Sequence, residues 1–550
     1  MAPYPHPPTS AGLDGEAGRW ARHADPALTR GTHSGHTGGM TDPAATADTP
    51  VFPFDNSFAR ELPAAGVAWP PAPVAAPALV YLNRPLAEAL GLDAEALDSA
   101  AGAAVFAGNR VPAGASPVAQ AYAGHQFGGF SPQLGDGRAL LLGEIVGRDG
   151  RRRDVALKGA GRTPYSRGGD GRAALGPMLR EVLIGEAMHA LGVPTTRALA
   201  VAATGESVRR DRDLPGAVLT RVAASHLRVG TMQYFAARGE LATLAQVADY
   251  AIARHDPDLS GRPDRHLVFL ERVARRQAAL LAQWMNLGFI YGVMNTDNMT
   301  LSGETIDYGP CAFMEAYDPA AVFSSIDHGG RYAYGNQPLI ARWNLARLAE
   351  ALLPLMADAD DEQAVQQAVA GATAVIDAFP AWYDEALRQG QRAKLGLRTA
   401  ADGDAALADD LLGLLHAQAV DFTLAWRRLA DAAEGHAEAW LALFPQAGPA
   451  AAWLDRWVTR CAGDDASSGV PAADAAVSRG QALRAVSPFL IPRNHRVEEA
   501  LAAASDDGDL QPFERLLQAL LQPYEESPAS VPLAQPAPAA VTAAYQTFCG

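Results

Sequence analysis

The sequence predicts an α+β fold in which a small mixed β lobe precedes a large α-helical lobe. Between about residues 135 and 223, short apolar runs alternate with turn residues and are interrupted by one helical pattern. From residue 265 onward, apolar residues recur mainly at the three- and four-residue intervals of amphipathic helices. No repeat of fixed period and no long heptad run is visible, so we expect neither a solenoid nor a coiled coil.

A hairpin is expected in the β lobe. Residues 138–146 (RALLLGEIV) and 153–158 (RDVALK) are apolar runs typical of strands. Asp149 and Gly150 between them form a strong turn signal, because glycine tolerates the backbone conformation that tight hairpins need. The two strands should therefore be antiparallel neighbours.

One helix is expected in the same lobe, over residues 175–191. Its apolar side chains recur at helical spacing, and Gly192 followed by Pro194 ends the pattern. Further strands are predicted near residues 197–203 and 216–223. The lobe is thus predicted to be a small sheet accompanied by one helix.

The second lobe is predicted to be mainly helical, with a short non-helical segment at residues 288–308. Long Ala- and Leu-rich patterns indicate helices at residues 265–285, 341–356, 362–387 and 407–429. Residues 527–541 are rich in Pro and Ala, and we expect them to form a loosely held arm.

We expect three regions along the chain. Residues 1–50 have the composition of a disordered tail and no secretory leader, and Met40 is a possible alternative start. Residues 51–235 would form the N-terminal lobe with its loops, and residues 236–550 the helical C-terminal lobe with an extension.

Composition excludes several functional classes. The 550 residues include 45 Lys+Arg and 61 Asp+Glu, a net charge of −16, which repels a phosphate backbone, so nucleic acid is not an expected partner. The longest uncharged apolar stretch, residues 62–83, contains five prolines, so no membrane span is expected. The cysteines, Cys311, Cys461 and Cys549, are too few for a disulfide framework and lack metal-binding spacing, which favours a reducing, cytoplasmic setting.

Three clusters of charged and glycine residues suggest a site for a nucleoside triphosphate. The first is residues 133–138 (QLGDGR), where Gly135 and Gly137 would let backbone amides approach phosphates and Arg138 adds a cation. Taken alone, this signal is weak, because a GDG before a strand is more often an ordinary turn.

The second cluster centres on Lys158, which ends an apolar strand. A lysine placed there points inward or towards a cleft, and a buried ammonium needs an anion. The following helix offers Glu181, with Glu186 as a fallback, an arrangement similar to the strand-lysine and helix-glutamate pair of protein kinases. The alternative is that Lys158 extends to solvent.

The third cluster is residues 292–309 (GVMNTDNMTLSGETIDYG). A polar loop with Asp297 and Asn298, followed by Asp307, resembles the way kinase-like enzymes place a base and divalent-metal ligands. Asn298 and Asp307 with phosphate oxygens would suit Mg²⁺, which leaves Asp297 as the base. Solvated turns are the alternative for either piece.

Two arginines, Arg221 and Arg228, follow the last predicted strand of the β lobe (LTRVAASHLRVG). Guanidinium groups match phosphate oxygens, so the pair would add two cations to a site that already contains Lys158 and Arg138. Surface ion pairing is the alternative.

Four long segments resemble the selenoprotein O family of kinase-fold protein adenylyltransferases: YAGHQFGGFSPQLGDGRALLLGE, DVALKGAGRTPYSRGGDGRAALG, REVLIGEAMHALGVPTTRAL and GVMNTDNMTLSGETIDYGPCAFM. The resemblance runs from about Phe52 to the C-terminus. It implies a protein-kinase-like bilobal fold that binds ATP with its phosphates reversed relative to ordinary kinases. It also implies an enzyme that uses Mg²⁺ or Mn²⁺ to transfer AMP from ATP to Ser, Thr or Tyr hydroxyls of protein substrates, releasing pyrophosphate.

Carried over residue by residue, the resemblance assigns roles to named positions. Asp297 would be the proton acceptor, and Asn298 and Asp307 would hold the metal, with Asp307 also near ATP. Lys158, Arg221 and Arg228 would hold the β- and γ-phosphates, and Asp170 could orient one of these three cations. Nucleotide binding falls on Gly135, Gly137, Arg138, Lys158, Asp170, Gly171, Arg221 and Arg228.

Two other functions stay open, an ordinary kinase that transfers the γ-phosphate and a catalytically silent nucleotide-binding scaffold. The HRD triad and a GxGxxG loop before a strand valine, expected of an ordinary kinase, are missing. The chain ends in Cys549-Gly550, whereas some eukaryotic family members carry selenocysteine there. A reversible bridge between Cys311 and Cys549 is a hypothesis, set against two unpaired thiols. A monomer is assumed.

Overall fold

The computed structural model describes residues 50–469 and 471–548, and these belong to one compact unit. Three expectations therefore lie outside the described residues: the predicted disordered tail up to residue 49, the alternative start at Met40, and the bridge that needs Cys549.

An antiparallel sheet forms the first part of the structure. Among the described residues the strands are β1 (Gly66–Ala68), β2 (Ala78–Leu82), β3 (Val118–Gln120), β4 (Gly124–Gln126), β5 (Gly129–Ser131), β6 (Ala139–Val146), β7 (Arg152–Lys158), β8 (Ala173–Ala174), β9 (Arg197–Arg209), β10 (Asp213–Ala223), β11 (Phe289–Ile290) and β12 (Ala312–Phe313). The main sheet runs in the order β1-β3-β6-β7-β10-β9-β2, and β8 pairs with β10. β4 pairs with β5 and β11 with β12 in two small separate sheets. All pairings between these strands are antiparallel. The lobe predicted to be mixed therefore combines helices with a sheet whose strand pairs are all antiparallel.

Helices account for most of the remaining structure. Among the described residues they are α1 (Ser57–Glu61), α2 (Arg84–Ala89), α3 (Ala94–Leu97), α4 (Ala100–Phe106), α5 (Leu175–Ala190), α6 (Val229–Ala236), α7 (Leu241–His255), α8 (Arg265–Leu287), α9 (Gln337–Leu352), α10 (Glu362–Lys394), α11 (Asp404–Gln418), α12 (Phe422–Ala433), α13 (Glu438–Leu441), α14 (Ala447–Ser468), α15 (Ala472–Val486), α16 (Asn494–Ala502), α17 (Gln511–Leu520), α18 (Val531–Ala534) and α19 (Ala539–Ala544). The predicted α+β class is confirmed. No described helix combines the length and the apolar character needed to cross a membrane.

The predicted hairpin and its neighbouring elements are confirmed. β6 and β7 pair antiparallel, and Gly150 in the turn has a φ of 73°, in the left-handed region that glycine tolerates. α5 matches the predicted helix to within a residue, and its side chains are buried from Leu175 to Met188 with the exception of Pro177. The helix therefore lies inside the largest hydrophobic core rather than on its surface. β9 and β10 contain the two further predicted strands, and both are longer than predicted.

Three sequence predictions about the helices were wrong. Residues 51–235, for which one helix was predicted, contain α1 to α4 and most of α6 in addition to α5. Helices of four to eight residues are too short to show a period in the sequence. The predicted helix at 407–429 is two helices, since Ala419 adopts a left-handed φ of 51° and the Asp421 side chain caps the N-terminus of α12. Residues 527–541 are not a loose arm, because Ala534 is buried and its carbonyl accepts a hydrogen bond from Arg493 Nε.

The register of two central strands places two cations together. In the pairing of β7 with β10, Leu219 lies opposite Lys158 and Arg221 lies opposite Ala156. Residues two apart in a strand share a face, so Lys158 and Arg221 project from the same side of the sheet. Their proximity follows from backbone hydrogen bonding rather than from any mutual attraction.

A buried ion pair fixes the segment that leads from β10 to α6. Asp154 in β7 is buried and accepts a 2.6 Å hydrogen bond from Arg254 of α7 and a 2.8 Å bond from the backbone amide of His226. Burial would raise the pKa of Asp154, but the charge of Arg254 and the hydrogen bonds of His226 outweigh it and bring the pKa to about 2. The pair therefore ties α7 to the sheet and holds the backbone just before Arg228.

We expect Asp154→Ala to cost about 3–5 kcal/mol of folding free energy, because it removes the nearest anion of the buried Arg254 guanidinium and leaves only Glu144, at 3.9 Å. Glu95→Ala removes one side of the exposed Arg84–Glu95 pair and should change the folding free energy far less, because solvent screens that pair. Thermal and urea unfolding of both variants measure the difference. Equal, small effects would show that the Asp154 pair does not hold this region together.

Candidate active site

A cleft of about 410 Å³ collects nearly all of the residues predicted from the sequence to form a site. Its walls come from the loops around β6 and β8, from the ends of β7 and β10, and from residues 293–310. The predicted site residues that line it are Gly135, Gly137, Arg138, Lys158, Asp170, Gly171, Arg221, Arg228, Asp297, Asn298 and Asp307. Glu181 lies directly behind them, in contact with Lys158.

The lining of this cleft is strongly cationic, although the chain as a whole carries a net charge of −16. Its basic side chains outnumber its acidic ones, Asp136, Asp170, Asp297 and Asp307; they are Arg138, Lys158, Arg167, Arg172, Arg210, Arg221 and Arg228. Focused positive charge in a concave site attracts anions, and a group of this size suits one with several negative charges. The electrostatics therefore favour a phosphorylated ligand.

The centre of the cleft is an ionic cluster of four side chains. Lys158 Nζ contacts both Glu181 Oε1 and Asp307 Oδ1, and Arg221 Nη1 contacts the same Asp307 oxygen. Burial would raise the pKa of Asp307, but the charges of Arg221 and Lys158 outweigh it and hold the pKa well below its usual range. Asp307 is therefore ionised, and its second oxygen remains available to a ligand.

The partner of Lys158 is Glu181, as predicted, and not the fallback Glu186. Glu186 faces away on α5 and forms a 2.7 Å hydrogen bond with Arg197 Nε of β9. The alternative of a solvent-extended lysine is also excluded, because the Lys158 residue is only 8% exposed.

Both arginines that the sequence analysis weighed as surface residues are buried. Arg221 and Arg228 are each 3% exposed. Arg228 stacks on the ring of Tyr122, with 4.3 Å from its guanidinium carbon to the ring centre, and lies 4.0 Å from Asp136. Surface ion pairing is therefore wrong for both, and their charges are directed into the site.

Close packing requires glycine in the two loops that precede β6 and β8. A Cβ at Gly135 would lie 2.3 Å from the Tyr165 ring of the other loop, and Gly135 has a φ of 71°. A Cβ at Gly171 would lie 2.2 Å from the carbonyl carbon of Gly161 in its own loop. Gly135 thus allows the two loops to pack against one another, and Gly171 allows the second loop to fold back on itself, a reason that the sequence alone did not indicate.

Asp170 lines the cleft but does not orient Lys158, Arg221 or Arg228. Its carboxylate accepts a 2.7 Å hydrogen bond from Arg210 and a 2.9 Å bond from the backbone amide of Arg172. The suggestion that Asp170 orients Lys158 or one of the other two is therefore wrong. The sequence could not show this, because Arg210 lies in the β9–β10 turn and reaches the loop only through the sheet topology.

Asp297 and Asn298 lie in a short 3₁₀ turn, residues Thr296–Asn298, which lines the cleft. Asp297 is 8% exposed; its Oδ2 accepts a 3.3 Å hydrogen bond from Gln126, whereas Oδ1 is buried without a partner among the described residues. Burial raises the pKa of Asp297 to about 6. Asn298 Nδ2 donates to the carbonyl of Val293, which fixes the amide and leaves its oxygen as a candidate ligand.

The oxygen donors fit a divalent ion that takes part of its coordination from phosphate. Among the described residues there is no group of three or more His, Cys, Asp or Glu able to hold a metal by themselves. Mg²⁺ commonly uses one or two protein oxygens together with phosphate oxygens and water. Asn298 and Asp307 supply such a set.

Sequence reasoning missed one residue that fixes the Asp307 segment. Arg180 of α5 is 7% exposed and donates to the carbonyls of Tyr308 at 3.2 Å, Gly309 at 3.0 Å and Cys311. A charged side chain immediately before Glu181 in an otherwise apolar helix was the available signal. Asp307 itself has a φ of 60°, a conformation uncommon outside glycine that the surrounding contacts must hold in place.

Comparisons with known proteins agree with the resemblance found in the sequence. A family model described as protein adenylyltransferase SelO matches residues 61–521. A Cereibacter sphaeroides protein named protein nucleotidyltransferase YdiU is 59% identical over 501 residues, 91% of this chain and 100% of that protein. Proteins of the same name from Chromobacterium violaceum and Rhizobium rhizogenes are 60% and 54% identical over 86% and 92% of this chain, and 97% and 98% of their own lengths. The chain therefore belongs to the SelO family of protein adenylyltransferases.

Proposed function

We propose that this chain transfers AMP from ATP to Ser, Thr or Tyr hydroxyls of protein substrates and releases pyrophosphate. The observation that carries the proposal is the cationic cleft whose floor holds an ionised aspartate, Asp307, between Lys158 and Arg221. Such a floor suits a triphosphate and a divalent ion together, and membership of the family supports adenylyl transfer. We include in the proposal that the sheet and the helical part correspond to the two lobes of a kinase-like fold.

In this proposal the triphosphate lies with its terminal groups deepest. Lys158, Arg221 and Arg228 are the buried cations that would bind the β- and γ-phosphates, so that the α-phosphorus faces the mouth of the cleft. A hydroxyl entering there attacks the α-phosphorus while the bond to the β-phosphate oxygen breaks and pyrophosphate leaves. Most of the rate enhancement would come from positioning and charge stabilisation.

Asp297 is the proposed proton acceptor. Its carboxylate lines the same cleft as the buried cations, with Oδ1 unpartnered among the described residues, and could take the proton of the incoming hydroxyl. Asn298 and Asp307 would hold Mg²⁺ or Mn²⁺, which when bound neutralises phosphate charge.

The position of the transferred label tests the proposal against its two alternatives. With ATP carrying ³²P at the α-phosphate, self-modification and an added protein acceptor should become labelled, whereas γ-labelled ATP should give none. An ordinary kinase would give the reverse result, and a silent scaffold would give neither label. Intact-mass analysis with Mg²⁺ or Mn²⁺ gives the same answer without isotope, since an added AMP and an added phosphate differ in mass.

Asp307→Asn should lower AMP transfer by more than about a hundredfold, because the substitution removes the ionised oxygen proposed to bind the metal. ATP binding measured by calorimetry without metal should be retained or strengthened, since one negative charge leaves a cationic cleft. Asp213→Asn, at an exposed ion pair of the same strand as Arg221, is the control and should change neither quantity. Turnover of Asp307→Asn within tenfold of wild type would contradict the metal role.

Arg180→Lys tests whether the guanidinium positions the Asp307 segment. Lysine keeps the charge, but its single nitrogen cannot reproduce the separate Nε and Nη2 donors of the guanidinium, so kcat should fall about tenfold or more while KM for ATP changes less. Arg427→Lys is the matched control, because Arg427 is equally buried and donates to two carbonyls far from the cleft. If both variants lose stability but keep kcat, Arg180 is only structural.

A further inference from the structure

The chain contains only two lysines among its 45 basic residues, and both are buried. Lys158 belongs to the active-site cluster. Lys394, at the C-terminal end of α10, is 4% exposed and has no carboxylate, carbonyl or hydroxyl partner among the described residues. Its ammonium lies 5.7 Å and 5.4 Å from the ring centres of Phe422 and Trp426. Burial alone lowers the pKa of Lys394 to about 7.

A cavity of about 370 Å³ opens beside this lysine and shares no lining residue with the active-site cleft. α8 and α10 form its long walls, and Lys394 is the only charged side chain among the described residues that line it. The rest of the lining is mainly apolar, including Leu191, Val193, Ala282, Leu287, Ala386 and Val486. A largely apolar cavity of this size with few polar groups is the usual form of a small-molecule site.

We propose that this cavity binds a small amphipathic carboxylate, with its charged end on Lys394 and its hydrocarbon chain along α8 and α10. An unpaired ammonium is costly to bury, and an anion is the partner that removes most of that cost.

The composition of the cavity excludes other classes of ligand. A polyphosphate would need several cations, as in the active-site cleft, and only one is present on the described lining. A cationic ligand would be repelled by Lys394. A neutral apolar molecule would fill the walls but leave the ammonium unpaired. The rival explanation without any ligand is that the rings of Phe422 and Trp426 stabilise the ammonium sufficiently by cation–π interaction.

Octanoate is a suitable probe, and the two lysines make its effect easy to read. Protein labelled with ¹³C at the lysine ε-carbon should give one signal for each lysine. Octanoate should shift the signal that disappears in Lys394→Met, and ATP should shift the other. Octanol has the same chain without the charge and should leave both signals in place.

Calorimetry supplies the affinity. Octanoate binding should weaken at least tenfold in Lys394→Met, and similarly in Ala386→Phe, which fills the cavity but keeps the lysine. Methionine buries no charge, so the first variant should fold at least as well as wild type. The proposal is overturned if octanoate binds Lys394→Met as tightly as wild type. It is equally overturned if octanoate shifts no lysine signal in wild type. Neither measurement depends on AMP transfer, so failure here and failure of the proposed function are distinguishable.

Discussion

The structure around the cleft depends on one buried ionic cluster, in which Lys158 and Arg221 share the carboxylate of Asp307 while Glu181 holds the lysine. The four residues come from β7, β10, the loop beyond α8, and α5. Burying two cations and two carboxylates costs solvation energy, and their attraction offsets that cost only when all four are placed together. The cluster therefore fixes the sheet, α5 and the Asp307 segment relative to one another.

The same cluster leaves some hydrogen-bond donors of Lys158 and Arg221 for a ligand. An ammonium has three donors, and the carboxylates of Glu181 and Asp307 take two of those on Lys158. Its third donor, with the free donors of the Arg221 guanidinium, can be offered to phosphate oxygens. Because the charges inside the cluster compensate one another, Arg228 and the arginines at the mouth of the cleft supply the excess positive charge that attracts a polyanion. Attraction and precise placement are thus carried by different residues.

Much of this could be predicted from the sequence, because local signals were strong. The Asp149-Gly150 turn predicts the hairpin, and a helix that begins after Ala174 brings Glu181, rather than Glu186, to the lysine. What could not be predicted depends on contacts between distant segments. Asp170 binds Arg210 instead of Lys158, Arg221 or Arg228. Position 135 must be glycine because the Tyr165 ring leaves no room for a Cβ there. No local pattern records such contacts.

The two lysines are similarly buried, but their charges are compensated to different degrees. Arginine serves almost every other basic position in the chain, so these two sites share a compact ammonium in a buried place. Lys158 is compensated by two carboxylates before any ligand arrives, and a phosphate that joins it meets an ordered and nearly neutral group. Lys394 meets only aromatic rings, so its charge is still uncompensated beside an apolar cavity. The protein can tolerate such a charge because the free-energy cost of desolvating one ammonium is small against the stabilisation from packing of the surrounding core. A carboxylate that bound there would remove most of this desolvation cost.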